Sequence, residues 1–170
     1  MTHIGLIRTV KPASMAHLVL TFDLHDDAAT AALGARLGAA ARAGDVIALV
    51  GDLGAGKTTL ARGLIRHLAG PETEAPSPTF TLVQTYQTPG FPIWHFDLYR
   101  LEHPGEAREL GLEEAVDGLA LIEWPERLGR DLPAVRLEVR LSFSQQGRIA
   151  QLVDFCDWSS RIDGDWRPTP

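Results

Sequence analysis

The chain has 170 residues, a formal net charge of −6, 45% hydrophobic and 22% charged residues, and one cysteine. That length suits one domain with a sizeable core and is short for two. The acidic balance excludes nonspecific nucleic-acid binding by the whole surface, though not a local basic patch, and the lone Cys156 excludes an internal disulfide and points to a reducing, cytoplasmic setting.

Met1 to Ser14 lacks the apolar centre of a signal peptide, and no apolar run reaches membrane-spanning length. The patterned sequence begins just after Met15, which makes that residue a candidate start. Residues 1–16 read as an extension, 17–156 as the domain and 157–170 as a polar tail, part of it loosely held.

His17 to Phe22 reads as a first strand. Asp26 suits the N-cap of a helix from Asp27 to about Ala43, with Ala29, Leu33 and Leu37 on one face and Gly44 as its stop. Asp45 to Val50 is an apolar run of strand length. It leads into Gly51-Asp52-Leu53-Gly54-Ala55-Gly56-Lys57-Thr58, a complete G-x-x-x-x-G-K-T phosphate-binding loop. Thr59 to Ala69 follows as a helix, with Leu60, Leu64 and Leu68 at helical spacing. Strand, glycine loop and helix are the context this motif needs. The glycines let backbone N–H groups close around phosphate oxygens, and the helix N-terminus adds partial positive charge. Lys57 suits the β- and γ-phosphates and the Thr58 hydroxyl suits Mg²⁺. The chain has fourteen arginines and only two lysines, Lys11 and Lys57. It keeps lysine where a compact ammonium must meet phosphate.

Beyond the Gly70-Pro71 stop, Ser77-Pro78-Thr79-Phe80 is either a strand start behind a proline turn or a segment whose hydroxyl completes a Mg²⁺ shell, as switch loops do. Thr79 to Thr88 and Ile93 to Arg100 read as a hairpin across the Thr88-Pro89-Gly90 turn. Asp97 lies in the middle of an apolar strand, so it wants Mg²⁺, water or an arginine unless it faces solvent. Gly105 to Val116 reads as a helix. Leu119 to Ile122 reads as a short buried strand, closed by Glu123 and Trp124. Four apolar residues and an acid have the form of a Walker B strand, and a carboxylate there lies on the ligand side of an open α/β sheet. It can hold Mg²⁺ through water, orient the attacking water, or merely mark the strand end. Ala134 to Phe143 and Arg148 to Phe155 make a final hairpin that closes the sheet. The layout is that of a three-layer α/β, P-loop NTPase-like domain, with a mixed parallel and antiparallel sheet flanked by helices.

Gly51 to Thr59, Ser77 to Phe80, His95-Phe96-Asp97-Leu98-Tyr99-Arg100 and Ile122-Glu123-Trp124-Pro125 stand in the order and spacing of the TsaE (YjeE-like) ATPases, which the chain resembles from about Leu18 to Leu152. The resemblance implies binding and hydrolysis of ATP with Mg²⁺. It also implies work alongside a TsaB–TsaD-type complex that transfers a threonylcarbamoyl group to N6 of adenosine 37 in tRNA, so that tRNA is met through that complex and no membrane is involved. It makes Asp97, Glu123 and Lys57 the catalytic set. Asp52, Leu53, Gly54, Ala55, Gly56, Lys57, Thr58, Thr59 and Trp124 become the nucleotide contacts, and Thr58, Thr79 and Glu123 the metal side. Which acid acts as base stays open. A small-molecule P-loop kinase is the alternative, weakened because Arg127 to Pro133 is too short for a lid domain. No lysine follows Lys57, so the Asn-Lys-x-Asp guanine motif is absent. No arginine finger is identifiable; Arg100 alone adjoins a site motif.

Overall fold

A computed structural model describes residues 16–162; the proposed extension up to Met15 and the last eight tail residues lie outside the described part. Seven strands form one sheet: β1 (His17–Leu24), β2 (Val46–Val50), β3 (Val83–Tyr86), β4 (Ile93–Asp97), β5 (Leu119–Glu123), β6 (Leu137–Ser144) and β7 (Gly147–Asp154). Their order is β1-β7-β6-β2-β5-β4-β3. β6, β2, β5 and β4 run parallel to one another, whereas β3 pairs antiparallel with β4, and β7 antiparallel with β6 and β1. The parallel centre therefore brings the carboxyl ends of β2, β4 and β5 to one edge. The sheet is mixed and lies between helical layers, as the pattern implies.

The strands alternate across the sheet because successive side chains point to opposite faces. Leu119 and Leu121 join the cluster formed with Leu33, Leu37, Leu60, Leu64 and Ile65 of the long helices α1 (Asp27–Ala40) and α2 (Lys57–Ala69). Ala120 and Ile122 join the opposite cluster, with Phe96, Ala107, Ala115 and Leu128. That second layer is built from short pieces: helix α3 (Gly105–Glu109) and the 3-10 turns Glu114–Asp117 and Pro125–Asp131. The expected helix from Gly105 to Val116 is thus broken. Gly111, two residues past the end of α3, sits at φ 93, and a Cβ there would press to 2.7 Å from the Trp94 ring. It ends the helix as a left-handed glycine does.

Three more boundaries move for local reasons. Asp26 does cap α1, accepting from Ala29 N–H at 2.8 Å, but the helix stops at Ala40. The Asp45 carboxylate takes the Arg42 N–H at 2.7 Å and turns the chain toward β2 before Gly44 is reached. The strand expected from Thr79 begins only at Val83, because Leu82 N–H closes a turn onto the Pro78 carbonyl at 2.7 Å. The strand expected to run to Arg100 ends at Asp97, whose Oδ1 accepts from Tyr99 N–H at 3.1 Å, a self-made Asx turn. The β6–β7 hairpin does not close the sheet; β1 adds outside β7 and forms that edge.

α1 and α2 approach very closely at Gly34 and Gly63. A Cβ on Gly63 would overlap the Ala31 carbonyl oxygen, and one on Gly34 would overlap the Leu60 carbonyl oxygen. This contact holds the helix of the phosphate loop against the rest of the layer.

Packing continues past Phe155 into the tail. Trp158 is fully buried and Ile162 nearly so. Arg161 forks onto Asp45 at 2.7 and 3.0 Å, bonds the Ala40 carbonyl at 3.1 Å and lies over the Trp158 ring. Cys156 is half-buried and burial pushes its thiol up to about 11, which leaves it unreactive. Burial would also push the Asp154 carboxyl up. The backbone N–H groups of Ser159, Cys156 and Trp158 outweigh that and hold it below the usual carboxylate range.

Two stability outcomes follow from these contacts. Gly63→Ala should cost about 1–3 kcal/mol or more in urea unfolding, since rigid backbone stands in the way, whereas Gly90→Ala, with open space around it, should be near neutral. Asp154 binds its proton less readily folded than unfolded. Its contribution is therefore present above the ordinary Asp value of about 3.9 and is lost as pH falls through the lower folded value. Asp154→Asn should accordingly be less stable at pH 7, and its stability should fall less steeply below about pH 4 in a pH series of unfolding curves.

Candidate functional site

The glycine loop sits at the carboxyl end of β2 and opens α2. Gly56, the N-cap of α2, has φ 106, and the space a Cβ would need is filled by Arg148 and Thr30. Lys57 is 5% exposed. Its Nζ donates to the carbonyls of Gly51 and of Asp52, the latter at 2.9 Å, and stands 3.9 Å over the Trp124 ring. Burial pushes the ammonium pKa down, and the carboxylates of Glu123, Glu126, Asp97 and Asp52 only partly push it back.

Glu123 ends β5 and is 2% exposed. Its register partners are Leu49 on β2 and Asp97 on β4, so the two acids end adjacent parallel strands side by side. Thr58 Oγ1 donates to Glu123 Oε2 at 3.0 Å. His95 Nε2 lies 2.9 Å from Glu123 Oε1. Asp97 is 4% exposed. Its Oδ2 accepts from Ser77 Oγ at 2.5 Å and Thr79 Oγ1 at 3.2 Å, and the two hydroxyls are 2.9 Å apart. The Thr79 turn that shortens β3 is what leaves this hydroxyl beside the strand end.

These groups line one cleft of about 460 Å³. Of the residues singled out in the sequence, Leu53, Gly54, Gly56, Lys57, Thr58, Thr59, Thr79, Asp97, Glu123 and Trp124 all face it. Asp52 and Ala55 do not. Ala55 is fully buried beneath the loop, and Asp52 enters through its carbonyl, which accepts from Lys57 and from Ala55 N–H.

Residues 24–150 match the family model described as threonylcarbamoyl adenosine biosynthesis protein TsaE. The chain belongs to the TsaE family. A TsaE of Rickettsia felis is 42% identical over 142 residues, covering 82% of this chain and 83% of its own. A Nostoc TsaE is 43% identical over 139 residues, covering 78% and 84%, and the Bacillus subtilis TsaE is 40% identical over 112 residues, covering 65% and 69%. The crystal structure of Bacillus subtilis YdiB superposes with a TM-score of 0.72 at 27% identity, covering 88% of this chain and 94% of that one. Membership in the TsaE family gives the chain its role in tRNA threonylcarbamoyladenosine biosynthesis. No helix among the described residues is long and apolar enough to cross a membrane.

In this TsaE-family cleft, sequence reasoning missed five lining residues. Ser77, Tyr99 and Arg100 stand inside the motifs already quoted, and the alcohol or charge of each was the available signal. Arg100 also lies 4.7 Å from the ring of the 84%-exposed Phe80. Asp27 and Arg148 gave no signal. They pair at 2.8 Å across 121 residues, and Arg148 also bonds the Gly54 carbonyl at 3.3 Å. They meet only because β1 adds to β7.

The donor set fits a small hard cation carried with phosphates. It is all oxygen: the Thr58, Thr79 and Ser77 hydroxyls and two carboxylates. Among the described residues no group of three or more His, Cys, Asp or Glu can hold a metal alone. Mg²⁺ has no need of one, because it takes one or two protein ligands and fills its shell with water and substrate phosphate.

Proposed function

We propose that this chain binds ATP with Mg²⁺ and hydrolyses it, serving a TsaB–TsaD-type complex that carries out threonylcarbamoylation of adenosine 37 in tRNA. The observation that carries this reading is the convergence of Lys57, the Thr58–Glu123 pair and the Asp97–Thr79–Ser77 group on one cleft at the carboxyl edge of β2, β5 and β4. Family membership supports the biosynthetic setting. The missing guanine motif favours adenine, and the absence of a lid among the described residues favours water over a second substrate as acceptor. The segment after β5 is a short 3-10 turn with Leu128 in the core, too small to fold over a kinase substrate.

The residues divide the work. Backbone N–H groups of the loop and the N-terminus of α2 bind the phosphate chain. Lys57 gives up two loop carbonyls for phosphate oxygens and neutralises charge that builds in the transition state. Thr58 and Glu123 form the metal side, where Mg²⁺ would supply Lewis-acid neutralisation of the phosphates. Asp97 fixes the Ser77 and Thr79 hydroxyls, which face the cleft from a loop rather than a strand and so are free to respond to the ligand. Trp124 packs on Lys57 and keeps water from the ammonium.

Lys57→Ala should lose about 100-fold or more in ADP and ATP affinity by calorimetry, whereas Glu123→Gln should keep ATP and lose about 100-fold or more in hydrolysis. A wild-type protein that binds no purine triphosphate at millimolar Mg²⁺ would overturn the reading. Hydrolysis by the isolated chain should be slow and should rise when TsaB–TsaD partners are added; equal rates with and without them count against the partnership.

A further inference from the structure

His95 is the one fully buried imidazole of the described chain, and none of the roles above uses it. It lies on β4, two residues before Asp97 and opposite Leu121 of β5, on the face shared with Glu123. Its Nε2 is 2.9 Å from Glu123 Oε1, and its Nδ1 has no hydrogen-bond partner. A carboxylate oxygen only accepts, so Nε2 carries the proton. A proton on Nδ1 would be a buried donor with nothing to receive it, which is costly. The imidazole is thereby held as a one-sided donor, with a single bond to make.

That bond decides which oxygen of Glu123 does what. Thr58 Oγ1 has one proton and lies 3.0 Å from Oε2 and 3.2 Å from Oε1. With Oε1 engaged by His95, turning the carboxylate would break that bond, and Oε2 is the oxygen left with Thr58 as its nearer partner.

We propose that His95 is a positioning residue that, through Nε2–H, fixes Oε1 of Glu123 and so aims Oε2 at the Thr58 side of the nucleotide cleft. This rests on the ATPase reading for its consequence in turnover and on the geometry alone for its hydrogen bond. Groups standing behind a ligating or catalytic side chain in this way commonly change affinity or activity about 10–100-fold.

Two amides separate aim from mere bulk. His95→Gln carries an N–H donor near the place of Nε2, whereas His95→Asn carries one near the place of Nδ1. The expected result is hydrolysis within a few-fold of wild type for Gln and a loss of about 10–100-fold for Asn, with Mg²⁺-free ADP affinity unchanged in both. The gain in ADP affinity that Mg²⁺ brings should also survive in Gln and shrink in Asn. Equal behaviour of the two variants overturns the proposal. Imidazole ¹⁵N spectra of the wild-type protein give a readout free of turnover: a proton on Nε2 is required, and a ring protonated on Nδ1 alone overturns the proposal even where a variant fails to fold. Should wild type hydrolyse no ATP with its partners present, the ATPase reading falls, and the spectra still decide the His95–Glu123 bond.

Discussion

The site depends on one registration: Asp97 and Glu123 end neighbouring parallel strands level with each other, on the face that carries the N-terminus of α2. The two carboxylates and their hydroxyl partners in the cleft take their places from that. Carboxylates this deeply buried survive because each is given donors, Thr58 and His95 for Glu123, and Ser77, Thr79 and Tyr99 N–H for Asp97. The ammonium of Lys57 lies close enough to be pulled toward them and is held off by the loop carbonyls and the Trp124 ring. A shift of β4 against β5 by one residue would turn Asp97 to the opposite face and break the arrangement.

Much of this was legible in the chain because the signals were local. The glycine loop names its own flanks, and a run such as Leu119 to Ile122 can only be a buried strand. Asp26 with its helix and the β3–β4 hairpin also follow from short-range chemistry. The errors fall where a side chain competes with regular structure. Asp45 and Asp97 capture nearby N–H groups and end elements early, and Gly111 breaks a helix that spacing alone would continue. Two of these breaks also shape the cleft. The shortened strands free Thr79 and Tyr99 to face the cleft.

What the sequence withheld was long-range. Nothing near Arg148 or Asp27 hints that they face one another over the glycine loop, since that depends on which strand lies at the sheet's edge. The burial of Trp158 and Arg161 was equally hidden. A polar stretch with a tryptophan reads as a tail until a partner is found, and the partner here, Asp45, lies 116 residues away.

That clasp ties residues 157–162 to the strand that leads into the glycine loop. Arg161 holds the residue immediately before β2, the strand whose far end becomes the glycine loop. Peeling away the turn at residues 158–161 would strip a charge partner from Asp45 and uncover the Trp158 indole beneath. A cut or substitution that frees Arg161 would therefore be felt first at the start of β2, on the side of the sheet away from the glycine loop.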